Sequence, residues 1–113
     1  MGRQKVSMTT TARDAAAILG QQVQFARQDR GWTVDELGER AGVSYPTIRK
    51  IEKGEPSVSW GNVLNVAALV GVPLFGTDDP SELARIRARG QERLTLLPQR
   101  VRERKLPDVD LDF

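Results

Sequence analysis

The chain contains no cysteine and no histidine. The first absence excludes disulfide staples and thiolate nucleophiles. The two together exclude Cys/His zinc sites and the usual proton shuttle of neutral pH. Long apolar runs are also missing. None approaches the roughly 20 residues that cross a bilayer, and the opening MGRQKVSMTTTARD has no apolar stretch of the signal-peptide kind. Gly2 is followed by no second membrane signal. There is neither a Gly-rich phosphate loop nor a carboxylate pair in a recognisable constellation, so nothing points to an enzyme or to a bound cofactor. A soluble, cytoplasmic, unexported chain that does its work by binding is the expectation.

What the chain does have is enough apolar sequence for one small core and an uneven distribution of charge. At 113 residues with 39% hydrophobic content it suits one compact domain better than two. Its net charge of +2 conceals a basic segment over residues 80–105, with Arg85, Arg87, Arg89, Arg93, Arg100, Arg102, Arg104 and Lys105 against Glu82, Glu92 and Glu103. The last eight residues then carry three Asp and no base. Segregation of this kind marks partner surfaces more than catalysis.

Helix signals recur along the first two thirds of the chain. Thr11 with Asp14 resembles a capping box, and Ile18, Leu19, Val23, Ala26 and Arg30 follow at helical spacing up to Gly31. In TVDE, Thr33 is the N-cap and Glu36 stands at the third helical position, opening a short helix over Val34–Ala41. Gly42 can adopt the positive φ that stops it. Val43 plugs the turn, and Ser44 caps a third helix that turns Ile48 and Ile51 inward, with Pro46 in the first turn where its missing N–H is harmless. Two short helices joined so tightly cross steeply, so their backbones should meet near the middle of the first, at Gly38. A fourth helix, about Trp60–Val70 behind the N-cap Ser59, is nearly all apolar and should be largely buried. Trp32 and Trp60 read as lids on the core.

The run GWTVDELGERAGVSYPTIRKIEKGEPSVSWGNVLNVAALVGV resembles the Cro/C1-type (XRE) helix-turn-helix regulators over about residues 15–74. That resemblance implies an all-α, five-helix lambda-repressor-like domain acting as a homodimer on palindromic double-stranded DNA, with its third helix in the major groove. Carried over by position, the reading helix is Ser44–Lys53, and Tyr45, Pro46, Thr47 and Lys50 face bases while Arg49 lies near a phosphate or base. Thr33, Ser44 and Lys53 complete the expected DNA-facing set. The resemblance also pairs Glu52 with Arg27 on the first helix. Val34 departs from the pattern, standing where many members carry a Gln that bonds DNA or the reading helix. Tyr45 and Pro46 read hydrogen-bonding edges poorly, although an apolar surface can meet a thymine methyl. A helix-turn-helix used only to pack against another protein is the alternative.

Beyond Val72 the chain reads as a C-terminal helix, with Asp79 as N-cap and Pro80 at its first position, running to about Leu97. Its sparse apolar positions and many arginines fit an amphipathic helix that folds back on the domain or pairs across a dimer, or else a basic arm. The segment LPQRVRERKLPDVDLDF is similar to the tails of HipB-type antitoxins, small regulators that bind a HipA-like Ser/Thr kinase toxin and repress their own operon. A plain repressor without a toxin is the rival reading. In VDLDF the apolar Val109, Leu111 and Phe113 alternate with Asp110 and Asp112, a period of two that suits an extended segment entering a partner's pockets. The expected organisation is a flexible N-terminus over 1–11, the helix-turn-helix domain over 12–74, a C-terminal helix over 75–97 and a flexible, partner-binding tail over 98–113.

Overall fold

A computed structural model describes residues 7–98. Val109, Leu111, Phe113 and the rest of the tail after Pro98 lie outside the described residues, as does the start of the N-terminal segment. Among the described residues five helices appear in order: α1 Thr10–Asp29, α2 Val34–Ala41, α3 Tyr45–Glu52, α4 Trp60–Leu69 and α5 Pro80–Leu96. No strand occurs among the described residues, and the only β-type pairing there is an isolated bridge between Leu74 and Thr77. The class is all-α. The chain divides between Asp79 and Pro80 into two compact units.

Local chemistry sets the ends of the first four helices. Thr9 caps α1, its hydroxyl accepting from the Ala12 N–H at 3.1 Å. The sequence reading placed this cap at Thr11. Three consecutive threonines offer the same oxygen, and starting at the first of them adds helical backbone bonds such as Arg13 N–H to Thr9 O at 2.9 Å. The box at Thr33 and Glu36 forms as expected, with both reciprocal bonds present. Gly42 closes α2 at φ 68°, in the left-handed region where a side chain is disfavoured. Ser44 and Ser59 cap α3 and α4.

The core of the first unit is a single cluster: Val23 from α1, Val34 and Leu37 from α2, Ile48 and Ile51 from α3, Val66 and Ala67 from α4, then Val70 and Val72 just after it. Leu37, Ile48, Val23 and Val66 are the largest fully buried side chains. Each contributes about 1.5–3 kcal/mol relative to an exposed position. α3 packs on both α1 and α2, and α4 on the same two helices. Three close approaches to backbone need glycine, the first being that of Gly54, whose Cβ would stand 2.8 Å from the Ala17 nitrogen. A Cβ on Gly38 would stand 2.6 Å from the Val43 carbonyl oxygen, so the crowding atom belongs to the turn and not, as the steep crossing implied, to the backbone of the next helix. A Cβ on Gly20 would stand 2.5 Å from the carbonyl oxygens of both Ile51 and Glu52, which lets α1 lie directly against the end of α3.

α4 corrects two expectations. Its side chains are almost all apolar, yet only Val66 and Ala67 within it are buried. Trp60 is 77% exposed and Leu69 is also exposed, so Trp60 is not a core lid. A helix presents every direction in 3.6 residues, and the core meets only one face of α4. Trp32 is half-buried and packs against the core as expected.

α5 opens at Pro80, immediately after Asp79, and none of its residues is buried. Gly90 lies inside it without breaking it.

Candidate nucleic-acid interface

The interface is built on α2, the Gly42–Ser44 turn and α3. The Thr33 hydroxyl accepts from Glu36 N–H at 3.0 Å, and the Glu36 carboxylate accepts from Thr33 N–H at 2.8 Å. The Glu36 carboxyl is held below the usual carboxylate range first by the bond from the Thr33 backbone N–H, then by the Thr33 side chain, with the Arg40 cation adding to them. Val43 N–H closes the turn on the Gly38 carbonyl at 2.9 Å. The orientation of α3 is therefore set by short-range bonds on one side and by Ile48 and Ile51 in the core on the other.

Glu52 is the only acid in α3, and it is turned inward. Arg27 from α1 meets it through two bonds, Nε to Oε2 at 2.7 Å and Nη2 to Oε1 at 3.2 Å, and donates Nη1 to the Trp32 carbonyl at 2.8 Å. Both side chains are below one tenth exposed. A fork-to-fork arrangement of this kind satisfies the carboxylate and fixes helix register at once. It has an electrostatic consequence for the opposite face. With Glu52 neutralised inside, the outward ionic groups of α3 and its C-cap are Arg49, Lys50 and Lys53, all cations.

The sequence-predicted residues occupy distinct places on that face. Tyr45, Pro46, Arg49 and Lys53 are exposed, whereas Thr47 and Lys50 are half-buried. Tyr45 keeps 49% of its surface in solvent. Ser44 and Thr47 are tied to each other, Oγ to Oγ1 at 2.9 Å, and Ser44 Oγ also accepts from Thr47 N–H at 3.4 Å. Both hydroxyls thus take part in starting the helix, as the Thr33 hydroxyl does in α2. Val34, at the position of the missing Gln, is a core residue and offers no polar group.

Thr47 and Lys50 line an open groove of about 290 Å³ together with Ser57, Val58, Ser59 and Asn62. The far wall is the loop before α4 and its first turn. Ser59 was legible as an N-cap, but Ser57 and Asn62 were not legible as neighbours of α3, because no local pattern reports which side chains face each other across a loop. A cation, three hydroxyls and an amide around one shallow groove form a surface that donates hydrogen bonds and carries positive charge, which is the chemistry phosphates and base edges meet.

Two arginines brace the scaffold behind this face. Arg30 donates Nε and Nη2 to the Val70 carbonyl at 3.2 and 2.9 Å, tying the end of α1 to the end of α4. Arg40 lies 4.3 Å from the centroid of the Trp32 ring, and Arg30 lies 5.4 Å from it. Trp32 thereby meets two cations as well as the core.

A protein family described as a helix-turn-helix domain matches residues 18–78, more than half of the chain and all of α2, α3 and α4. The chain is also similar to a protein of Neisseria meningitidis serogroup B described as a hypothetical transcription factor. The two are 24% identical over 94 residues, covering 83% of this chain and 80% of that one.

Proposed function

The chain belongs to the helix-turn-helix domain family, and we propose that it is a sequence-specific DNA-binding transcriptional repressor that acts as a homodimer on a palindromic operator. The observation that carries this reading is the sorting of charge on α3. Its one acid is buried against Arg27, while Arg49 and Lys53 are exposed and Lys50 lines the hydroxyl-rich groove. The similarity to a protein described as a transcription factor supports it further. Tyr45 and Pro46 give the exposed end of α3 an apolar edge suited to thymine methyl groups. One eight-residue helix spans only a few base pairs, so two copies would read half-sites about 34–36 Å apart on one side of the duplex.

Binding to the DNA upstream of its own gene tests the reading. Affinity is expected to fall with rising salt, with a slope of about −0.9 per neutralised phosphate. Lys50→Ala should weaken the cognate site by roughly 1–3 kcal/mol more than random DNA if a base contact is lost. An equal loss on both would assign Lys50 to backbone positioning, and no binding to that DNA at any salt would end the repressor reading.

The finer role we propose is that of an antitoxin of the HipB type, which binds a HipA-like Ser/Thr kinase and represses the operon encoding both. It rests on the similarity of the tail and on the alternation of Val109, Leu111 and Phe113 with aspartates. A kinase gene beside this one would support it. Deletion of Leu106–Phe113 should leave operator binding intact and weaken capture of the kinase about tenfold or more, as loss of an extended-segment contact predicts. A truncated protein that captures the kinase as well as the full chain does would leave a plain repressor.

A further inference from the structure

α5 carries a row of cations that its own acids leave mostly unneutralised. Arg85, Arg89 and Arg93 are exposed and stand four residues apart. At 100° and 1.5 Å per residue they fall within about 80° of arc, with roughly 6 Å between neighbours. Arg87 lies on the opposite side of the helix. Arg85 gives Nε and Nη2 to the Glu82 carboxylate, each at 3.0 Å, and keeps the rest of its fork for another acceptor. Arg89 and Arg93 meet no acid among the described residues. Like charges one turn apart repel, so the row suits an anion whose charges recur at the same interval.

The chain itself holds such an anion. Asp108, Asp110 and Asp112 occupy every second position, with no base among them. In an extended segment alternate side chains share a side and recur about every 6.6 Å. Two steps along the arginine row and two along the acidic run therefore differ by only about 1 Å, which the long arginine side chains absorb. Asp108 follows the end of α5 at Leu96 by twelve residues. A connection of that length can turn back along the helix, and it holds the acids near the row at an effective concentration of roughly millimolar order. An acidic segment of another molecule has no such advantage.

We propose that the row of Arg85, Arg89 and Arg93 is a docking strip for the chain's own acidic run. The run returns antiparallel to α5, so that Asp108 meets Arg93, Asp110 meets Arg89, and Asp112 shares Arg85 with Glu82. One exposed pair of this kind contributes little, and three in matching register make the contact. The alternation decides what the other edge presents. Val109, Leu111 and Phe113 face away from the arginines, in one line. Under the antitoxin reading this is the edge a kinase would meet, ordered before it arrives. The proposal rests on that reading for this consequence alone, because docking is measured with neither DNA nor kinase present.

The chain has no native cysteine, so Phe113→Cys in the full-length protein takes a single nitroxide. Nuclear magnetic resonance then compares the amide signals of α5 with the nitroxide oxidised and reduced. Docking predicts the strongest broadening around Arg85, at the end of the helix far from the tether. A profile strongest beside Leu96, where the tail is attached, would overturn the proposal. The maximum at Arg85 should vanish in Asp108→Asn/Asp110→Asn/Asp112→Asn, and also at about 1 M salt, where screening acts within roughly 3 Å. A maximum that survives either change would overturn charge pairing as its cause. Arg89→Glu/Arg93→Glu should likewise lose it, and adding Asp108→Lys/Asp110→Lys should restore it. Reversed charges that fail to restore it would overturn the register. Isotope-labelled chains without nitroxide, mixed with unlabelled chains that carry it, should show no maximum at Arg85. A maximum in that mixture would give the strip to the tail of another copy and overturn docking within one chain. A docked tail on a protein that captures no kinase upholds the strip and removes the antitoxin reading.

Discussion

α3 and α5 are both amphipathic helices, and they are stabilised in opposite ways. α3 has eight residues, of which Ile48, Ile51 and Glu52 are buried, and it enters through a Ser44 cap with Pro46 in its first turn. α5 has 17 residues and buries none of them. An isolated eight-residue helix is not stable in water. α3 therefore exists because its inner face is committed to the core and to Arg27, and that commitment leaves its outer face rigid enough to present side chains to a duplex. α5 is about twice as long, and its apolar residues are half-buried at Leu83 and Ile86 and exposed at Leu94. The contrast teaches that burial, more than helix length, decides which helix has its inner face fixed.

The largest effect expected from breaking this contrast comes from the buried ion pair. Glu52→Ala leaves the Arg27 guanidinium inside the first unit with only the Trp32 carbonyl for company, and should destabilise the fold by about 3–5 kcal/mol. The pair on α5 is the control. Arg85 and Glu82 meet at 3.0 Å with Arg85 largely in solvent and Glu82 half-buried, so Arg85→Ala should cost at most about 0.5 kcal/mol. Thermal or urea unfolding of both variants measures the difference. Similar melting shifts would mean that Glu52 is solvated and that α3 is held by apolar burial alone.

A smaller loss is expected at Gly38. Its Cβ would press on the Val43 carbonyl at 2.6 Å, a backbone atom that cannot rotate away. Gly38→Ala should therefore cost about 1–3 kcal/mol through overpacking, even though alanine is the better helix former. Gly90→Ala should behave oppositely in α5, raising helicity because no described atom opposes the methyl group. Circular dichroism and melting of the two variants read the sign directly. A stabilised Gly38→Ala protein would show that the turn can shift to admit a side chain.

How far these features were legible follows from the range of the signal behind each. The Thr33–Glu36 box, the stop at Gly42 and the cap at Ser44 lie within three or four residues of what they bond, so the sequence states them openly, and the inward Ile48 and Ile51 follow from helical spacing. The Arg27–Glu52 pair spans 25 residues and came from family resemblance, since no local rule joins the two. Gly20 was missed because the atoms that need its small size, the carbonyls of Ile51 and Glu52, are about thirty residues away along the chain. Trp60 was misplaced because composition alone cannot say which side of an all-apolar helix faces the core. The choice among Thr9, Thr10 and Thr11 failed for the opposite reason: equal local signals stood side by side. The same division holds at the interface, where the exposed residues of α3 were legible and the wall supplied by Ser57 and Asn62 was not.

The smallest predicted effect sharpens the comparison at the entrance to α2. Glu36 accepts the Thr33 N–H at 2.8 Å, and this bond, with the Thr33 side chain and the Arg40 charge, lowers its carboxyl below the ordinary carboxylate value. A group whose pKa is lower in the folded state binds a proton more readily when the chain unfolds. Its contribution to stability is then complete above the unfolded value, roughly pH 4.3, and is lost as the pH falls through the folded value. The side chain is fully in solvent, so the effect is local and modest. In Glu36→Gln the amide oxygen can still accept the Thr33 N–H, but the side chain does not titrate. Melting temperatures of the two proteins should therefore differ at neutral pH and converge as the solution is brought from about pH 5 to about pH 3. A constant gap between wild type and Glu36→Gln across that range would show that the box acts through hydrogen-bond shape and not through the charge of the carboxylate.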